Sequence, residues 1–268
     1  MPGLVVFGIT GRMGQSLVRA LREGRGAEAA LSLCGAVASS ASSRLGQDAA
    51  LEGDPAGVVI TADPGVSLKA AAVAVDFSVA GCVAGNARAC ALAGVPLLVG
   101  ATGFDAATRA ILERTAKDIP VLIAPNTSVG VSVVAKLVSI ATSALGPSYD
   151  VEIFEAHHRM KRDAPSGTAL ALGEAVAGAR GRDLEEVAIY DRTGQSAPRA
   201  PGSIGFSSLR AGDIVGEHTV IFAAAGERIE ITHRATDRIT FARGALRAAE
   251  WLIGRPAGLY GMQNVLGL

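Results

Sequence analysis

The chain has no excess charge of either sign: 25 lysines and arginines balance 25 aspartates and glutamates. With no global field, neither nucleic acid nor an anionic membrane is favoured as a partner, and any anion must be held by a local cluster of donors. Cysteine is scarce. Cys34, Cys82 and Cys90 lie in apolar surroundings without metal-ligand spacing, so no metal site is expected of them, nor a disulfide framework, and they read as core residues. Long apolar runs are missing as well: none approaches the ~18 residues of a membrane span without a Gly, a charge or a turn residue. The opening residues enter a strand at once, Leu4-Val-Val-Phe7, with no basic flank or signal-peptide core. Export is therefore not expected, and a cytoplasmic protein is. What the 268 residues do hold is apolar, 49% hydrophobic against 19% charged, which excludes a disordered chain and suits a buried Ala/Val-rich sheet with covering helices.

Leu4 to Phe7 stops at Gly8-Ile9-Thr10-Gly11-Arg12-Met13-Gly14, after which Leu17, Val18 and Leu21 recur at helical spacing. A parallel strand feeding a glycine turn and a helix points backbone N–H groups at one place, where a pyrophosphate can bind. The spacing is Gly-x-x-Gly-x-x-Gly, with Thr10 where the common fingerprint has its second glycine. The second strand, Leu31 to Val37, runs into Ala38-Ser39-Ser40-Ala41-Ser42-Ser43-Arg44. No carboxylate stands where one would bond the adenosine ribose. Ser39, Ser40 and Arg44 would donate to a 2′-phosphate without repelling it, so NADPH is the expected cofactor, with NADH usable; a flexible serine-rich loop is the alternative.

Further strands are expected at Val58–Thr61, Val73–Asp76, Pro96–Val99 and Pro120–Ala124. Helices are expected at Ala80–Ala93, opened by Asp76-Phe-Ser78, and from Asp105, its cap, to about Lys117. Three successive strands end in small, polar corners, at Asp76-Phe-Ser78, Gly100-Ala101-Thr102 and Ala124-Pro125-Asn126-Thr127. In an open parallel sheet such corners share one crevice with the first glycine turn, so the last two are candidates for holding the nicotinamide carboxamide and ribose.

After a helix at 129–145 the pattern changes to period two, at 150–155, 204–209, 215–222 and 228–232. This predicts a second sheet, covered on one side by the helices at 129–145 and 167–179. Its other side also needs cover, which points to self-association through the sheet. A last helix, Ile239 to Ile253, carries the single tryptophan, Trp251, as a packing anchor and returns to the first domain. The predicted fold is thus α/β: an N-terminal Rossmann-type doubly wound parallel sheet, built from 1–126 and 237–268, plus a second α+β domain with a mixed open sheet at 127–236. The first is read as the dinucleotide-binding domain, the second as the domain for substrate binding and oligomerisation.

Two of four histidines are neighbours in Glu155-Ala-His157-His158-Arg-Met-Lys161-Arg-Asp-Ala-Pro-Ser166-Gly167-Thr168. A strand delivers His157 and His158, Lys161 adds a positive charge and a proton, and Ser166 caps a helix whose first N–H groups, at Gly167 and Thr168, suit a carboxylate. His218 and His233 stand alone on alternating strands and read as structural or surface residues. A nicotinamide site in one domain facing a proton donor and a carboxylate cradle in the other describes hydride transfer to a small anionic molecule.

These blocks, with Asn126-Thr-Ser-Val-Gly130 and Arg210-Ala-Gly-Asp-Ile-Val-Gly-Glu-His218, resemble the bacterial 4-hydroxy-tetrahydrodipicolinate reductases over essentially the whole chain. The resemblance implies loss of the 4-hydroxyl as water and hydride addition at that carbon from NADH or NADPH, in lysine and diaminopimelate synthesis. It implies His157 as the acid/base residue, Lys161 as proton donor, and His158, Gly167 and Thr168 as contacts to a dicarboxylate substrate. Gly8, Ile9, Thr10, Gly11, Arg12 and Met13, Gly100 to Thr102 and Ala124 to Thr127 would hold the cofactor, and the assembly would be a homotetramer. Two positions depart from the family pattern. Ser39-Ser40 replaces an acidic residue followed by arginine, and Ala101 stands where many members have threonine. Competing readings are another two-domain dehydrogenase, such as an aspartate dehydrogenase, and a non-catalytic NADP-binding protein.

Overall fold

The computed structural model describes residues 1–24, 30–194 and 196–268. They divide into two compact units, Met1–Val129 with Arg238–Leu268, and Gly130–Asp237. In chain order the first stretch contributes β1 (Gly3–Phe7), α1 (Arg12–Glu23), β2 (Ser32–Val37), β3 (Ile60–Thr61), α2 (Pro64–Leu68), β4 (Val73–Asp76), α3 (Ala80–Ala93), β5 (Leu97–Val99), α4 (Ala106–Thr115) and β6 (Pro120–Ile123). There follow α5 (Val129–Leu145), β7 (Asp150–His157), α6 (Gly167–Ala179), α7 (Leu184–Val187), β8 (Ala188–Ile189), β9 (Ile204–Arg210), β10 (Gly216–Ala224) and β11 (Glu227–Ala235). The chain ends with α8 (Ile239–Leu252), β12 (Gly258–Tyr260) and α9 (Met262–Leu266).

The first unit is a seven-stranded sheet in the order β12-β6-β5-β4-β1-β2-β3, every pair parallel. Its strands are apolar at successive positions because both faces are covered. Leu4 and Val6 belong to a core with Leu17 and Val18 of α1 and Leu246 and Leu252 of α8, while Val5 and Phe7 pack in a second core with Val83 and Cys90 of α3 and Leu112 of α4. Close approach dictates small residues on α8, where a Cβ at Gly244 would overlap the Thr127 carbonyl oxygen. The Rossmann-type expectation is met, including the last helix. Trp251 is anchored edge-on against Tyr260 and lies under the Arg255 guanidinium at 4.2 Å.

Four local expectations change. Val58 and Val59 lie outside β3, Val59 forming only an isolated bridge to Asp48. Asp76-Phe-Ser78 does not cap α3: its N-cap is Val79, without a side-chain bond, and the buried Asp76 carboxylate instead accepts from Ser78 N (2.8 Å) and Asn86 Nδ2 (2.9 Å). Cys82 is exposed rather than in the core. The tail adds an edge strand, β12 beside β6, that its sequence did not announce.

The second unit is a mixed five-stranded sheet in the order β11-β10-β7-β9-β8. Val151 and Ile153, with Val220 and Phe222, face Val134, Val138, Leu172 and Val176 of α5 and α6. These helices cover one face, as their apolar spacing predicts. Among the described residues no helix is long and apolar enough to cross a membrane.

Candidate active site

Period two carries the inner face of the second sheet beyond its apolar core. Val151 and Ile153 are followed in phase by Glu155 and His157; Val220 and Phe222 are preceded in phase by His218 and Gly216. The register sets His218 opposite Glu155, Ser208 beside Glu155 and Arg210 beside His157. One end of a buried face is therefore polar, and such groups must be paired to remain there.

Glu155 is 1% exposed and accepts from both terminal nitrogens of Arg210, at 2.7 and 2.8 Å. Burial raises its pKa, but the bonds from Arg210, Ser208 and His157 outweigh that and hold it down to about 2. An ionised carboxylate only accepts. The 2.5 Å contact to His157 is thus a bond donated by Nδ1–H, leaving Nε2 as the nitrogen with a lone pair. Space is reserved beside it, since a Cβ at Gly216 would stand 3.1 Å from Nε2. His157 titrates below its ordinary value because burial, helped by the charges of Lys161 and Arg210, outweighs the pull of Glu155.

Arg210 reaches further. Its Nη2 donates to the carbonyl of Asp163 (2.6 Å), and the Asp163 carboxylate holds Lys161 Nζ at 2.8 and 2.9 Å. One guanidinium thereby ties the Glu155–His157 pair to the loop that carries Lys161. Ser166 caps α6 as predicted, its Oγ accepting from Ala169 N (3.2 Å). Beside it Gly167 opens on free space, a Cβ there meeting nothing within 4 Å. His158 and Thr168 are half-buried.

Of the two expectations for His218 in the sequence reading, structural or surface, the structural one holds, but the residue does not stand alone. It is 4% exposed, its ring lies edge-on to His157 at 5.2 Å, and Nε2 bonds Ser166 Oγ at 2.9 Å. Glu155 and Arg210 also went without roles in that reading. The in-phase alternation of His218, Val220 and Phe222 was the available signal for a buried histidine; the partnership across strands was not.

In the first unit a cleft of about 410 Å³ lies at the carboxyl ends of β1, β2 and β4, where the strand order reverses. Gly8, Thr10, Gly11, Ser39 and Ser40 line it. Gly8 has φ +76°, and a Cβ would come within 2.6 Å of the Phe77 oxygen, so only glycine fits. The N–H groups of Gly8 and Ile9 donate to Val37 O and that of Gly11 to Gly8 O. Arg12 and Met13 then open α1 with no side-chain cap and no acidic residue in the first turn, a cradle for phosphate. The described residues lining the cleft include no carboxylate. The set fits a pyridine dinucleotide.

The other predicted contacts are distributed unevenly. Thr102 and Pro125 are exposed. Gly100 and Ala101 spend their N–H groups on Asp76 O, and Ala124 spends its own on Val99 O. Thr127 is buried with Oγ1 donating to Phe241 O (2.7 Å), and Asn126 Oδ1 accepts from Ser128 N (2.9 Å). Arg44 bonds Gln47 Oε1 at 3.0 Å. Among the described residues no group of three or more His, Cys, Asp and Glu could hold a metal ion.

Comparison with known proteins agrees along the whole chain. Residues 3–127 match the family described as dihydrodipicolinate reductase, N-terminus, and residues 130–266 match dihydrodipicolinate reductase, C-terminus. The 4-hydroxy-tetrahydrodipicolinate reductase of Thiobacillus denitrificans is 51% identical over 266 residues, covering 99% of this chain and 98% of its own. That of Alkalilimnicola ehrlichii is 49% identical over 270 residues, with coverage of 99% and 98%. A solved dipicolinate-bound dihydrodipicolinate reductase from Paenisporosarcina sp. TG-14 shares the fold, with a TM-score of 0.75 at 21% identity over 98% of this chain and 99% of that one. Both halves match one family, and about half of all positions are shared with relatives along nearly their full length: the chain belongs to the dihydrodipicolinate reductase family.

Proposed function

We propose that the protein reduces 4-hydroxy-tetrahydrodipicolinate to tetrahydrodipicolinate with loss of water, using NAD(P)H, in the synthesis of diaminopimelate and lysine in the cytoplasm. The observation that carries the reading is the Glu155–His157 pair held beside Lys161 and the start of α6. The reduced nicotinamide supplies a hydride to the carbon that loses its hydroxyl. Everything else falls to side chains. His157 is neutral near pH 7, so Nε2 takes a proton from the neighbouring carbon while the Lys161 ammonium protonates the departing hydroxyl. The carbon proton returns from Nε2 after hydride addition. One proton is consumed overall and one water released. His158, Gly167 and Thr168 bind the substrate carboxylates, with the N-terminus of α6 favouring their charge.

Gly8 to Met13 would hold the pyrophosphate, and Gly100 to Thr102 with Ala124 to Thr127 would hold the nicotinamide half. Ser39, Ser40 and Arg44 choose the cofactor: the serine hydroxyls donate to a 2′-phosphate, with Arg44 swinging from Gln47 to join them. A coupled assay with synthase-generated substrate tests the activity and the choice together. At limiting cofactor, kcat/KM should be about tenfold or more higher with NADPH than with NADH, the size expected of charge-assisted bonds, and Ser40→Asp should reverse the order. Equal or better use of NADH by the unaltered protein would remove the 2′-phosphate role. No turnover with either cofactor would remove the activity.

The outer face of the second sheet carries Phe154, Ile221 and Leu209, the last 38% exposed. Sheet-to-sheet packing of four copies would cover it. Light scattering at micromolar concentration is expected to give four times the mass of the chain; a clean monomer would refute the assembly.

A further inference from the structure

His218 has no part in the proton transfers described above, yet it is buried among them, and burying an imidazole without a purpose is costly. Its Nε2 is 2.9 Å from Ser166 Oγ, and its Nδ1 has no partner. The two tautomers are not equivalent. With the proton on Nδ1, a buried N–H would be orphaned; with the proton on Nε2, only a lone pair is left unmet, the more tolerable defect. Nε2–H therefore donates to Ser166 Oγ, which also accepts from Ala169 N. Both lone pairs of the hydroxyl are then occupied, and its own hydrogen is free for an anion at the start of α6. The other edge of the contact is the His157 ring at 5.2 Å and 73°.

We propose that His218 is a positioning residue, fixing the Ser166 hydroxyl and the His157 ring in one geometry so that the carboxylate corner and the proton-transferring nitrogen are set together before substrate arrives. This rests on the reading of the site as a dicarboxylate reductase site. Burial, reinforced by His157, keeps His218 neutral, its pKa pushed down to about 3 against the pull of Glu155. The groups facing it are His157 and Glu155 on β7, Lys161 on the following loop and His233 on β11. None of them makes it titrate in the working range, so its contribution is independent of pH there.

The test uses His218→Leu, which deletes the bond, and His218→Gln, whose amide can reach the position of Nε2. Dipicolinate binding by calorimetry, NADPH binding, steady-state kinetics across pH and thermal melting are measured on each full-length variant. His218→Leu should weaken dipicolinate binding and raise the substrate KM by about tenfold, as for one lost hydrogen bond beside a charged ligand. NADPH affinity and the midpoint of the acid limb of kcat should not move, and His218→Gln should recover most of the loss. Dipicolinate binding by the leucine variant within twofold of the unaltered protein, or a glutamine variant no better than leucine, overturns the proposal. Should the leucine variant fail to fold, Ser166→Gly takes its place, since glycine is itself an acceptable helix N-cap: it should reproduce the weakened binding, and normal binding would overturn the proposal equally. Absent turnover in the unaltered protein would count against the reductase reading alone, because the dipicolinate measurements still decide the role of His218.

Discussion

Alanine at His157 is expected to lower kcat by about 10²–10⁴-fold, the usual worth of a positioned acid/base group, with NADPH affinity unchanged. Lys161→Ala should do the same. The geometry explains why neither loss is rescued by a neighbour. Glu155 fixes Nδ1–H, so His157 presents a single nitrogen, Nε2, and Gly216 keeps the space beside it empty. His218, the nearest other imidazole, has its Nε2 committed to Ser166. Since burial lowers the His157 pKa below 6.5, the base form prevails at neutral pH, and kcat/KM should fall only as the pH drops through that lowered value. His157→Ala should lose this acid limb while Lys161→Ala keeps it. Activity retained in both variants, or an acid limb above pH 6.5, would leave the assignment without its mechanism.

How much of this was legible beforehand differs between the fold and the site. Local chemistry wrote the helices plainly: α3 ends at Gly94, in the left-handed region, α4 is capped by Asp105 through Thr108 N, and α5 spans the anticipated 129–145. The glycine turn was equally readable, because a strand, a positive-φ glycine and a helix follow within a dozen residues. His157 and Lys161 could be singled out because they share one short block. Arg210 and His218 could not, since they meet Glu155 from 55 and 63 residues away through strand register, which a linear pattern does not encode. A lone histidine on an alternating strand sits on either face with equal ease. Only its phase with Val220 and Phe222 betrayed burial, and nothing in the sequence gave it Ser166 as partner.

The second large effect belongs to Arg210, because its guanidinium meets, through two bonds, the charge of a carboxylate that is 1% exposed. Arg210→Ala should destabilise the protein by about 3–5 kcal/mol at pH 7, the cost of leaving a buried charge uncompensated. The penalty has a direction in pH. Glu155 has a folded pKa of about 2 against 4.5 for the free group, so in the unaltered protein its stabilisation is complete above pH 4.5 and disappears as the pH falls towards 2. Without Arg210 the largest opposition to burial is gone and only the bonds from Ser208 and His157 still hold that pKa down, so it rises, and protonation relieves the variant where the unaltered protein is losing its advantage. The difference in denaturation midpoint should therefore be widest near neutrality and shrink below pH 4.5; an equal gap at pH 7 and pH 3 would show that the guanidinium acts by packing rather than by charge. Turnover should fall as well, since Glu155 then loses its clamp, and with it the firm hold on Nδ1–H that fixes the tautomer in which Nε2 carries the lone pair. The Asp163 carbonyl loses its donor in the same step, so the loop carrying Lys161 is released together with His157, and the loss in kcat should exceed what misplacing either residue alone would cause.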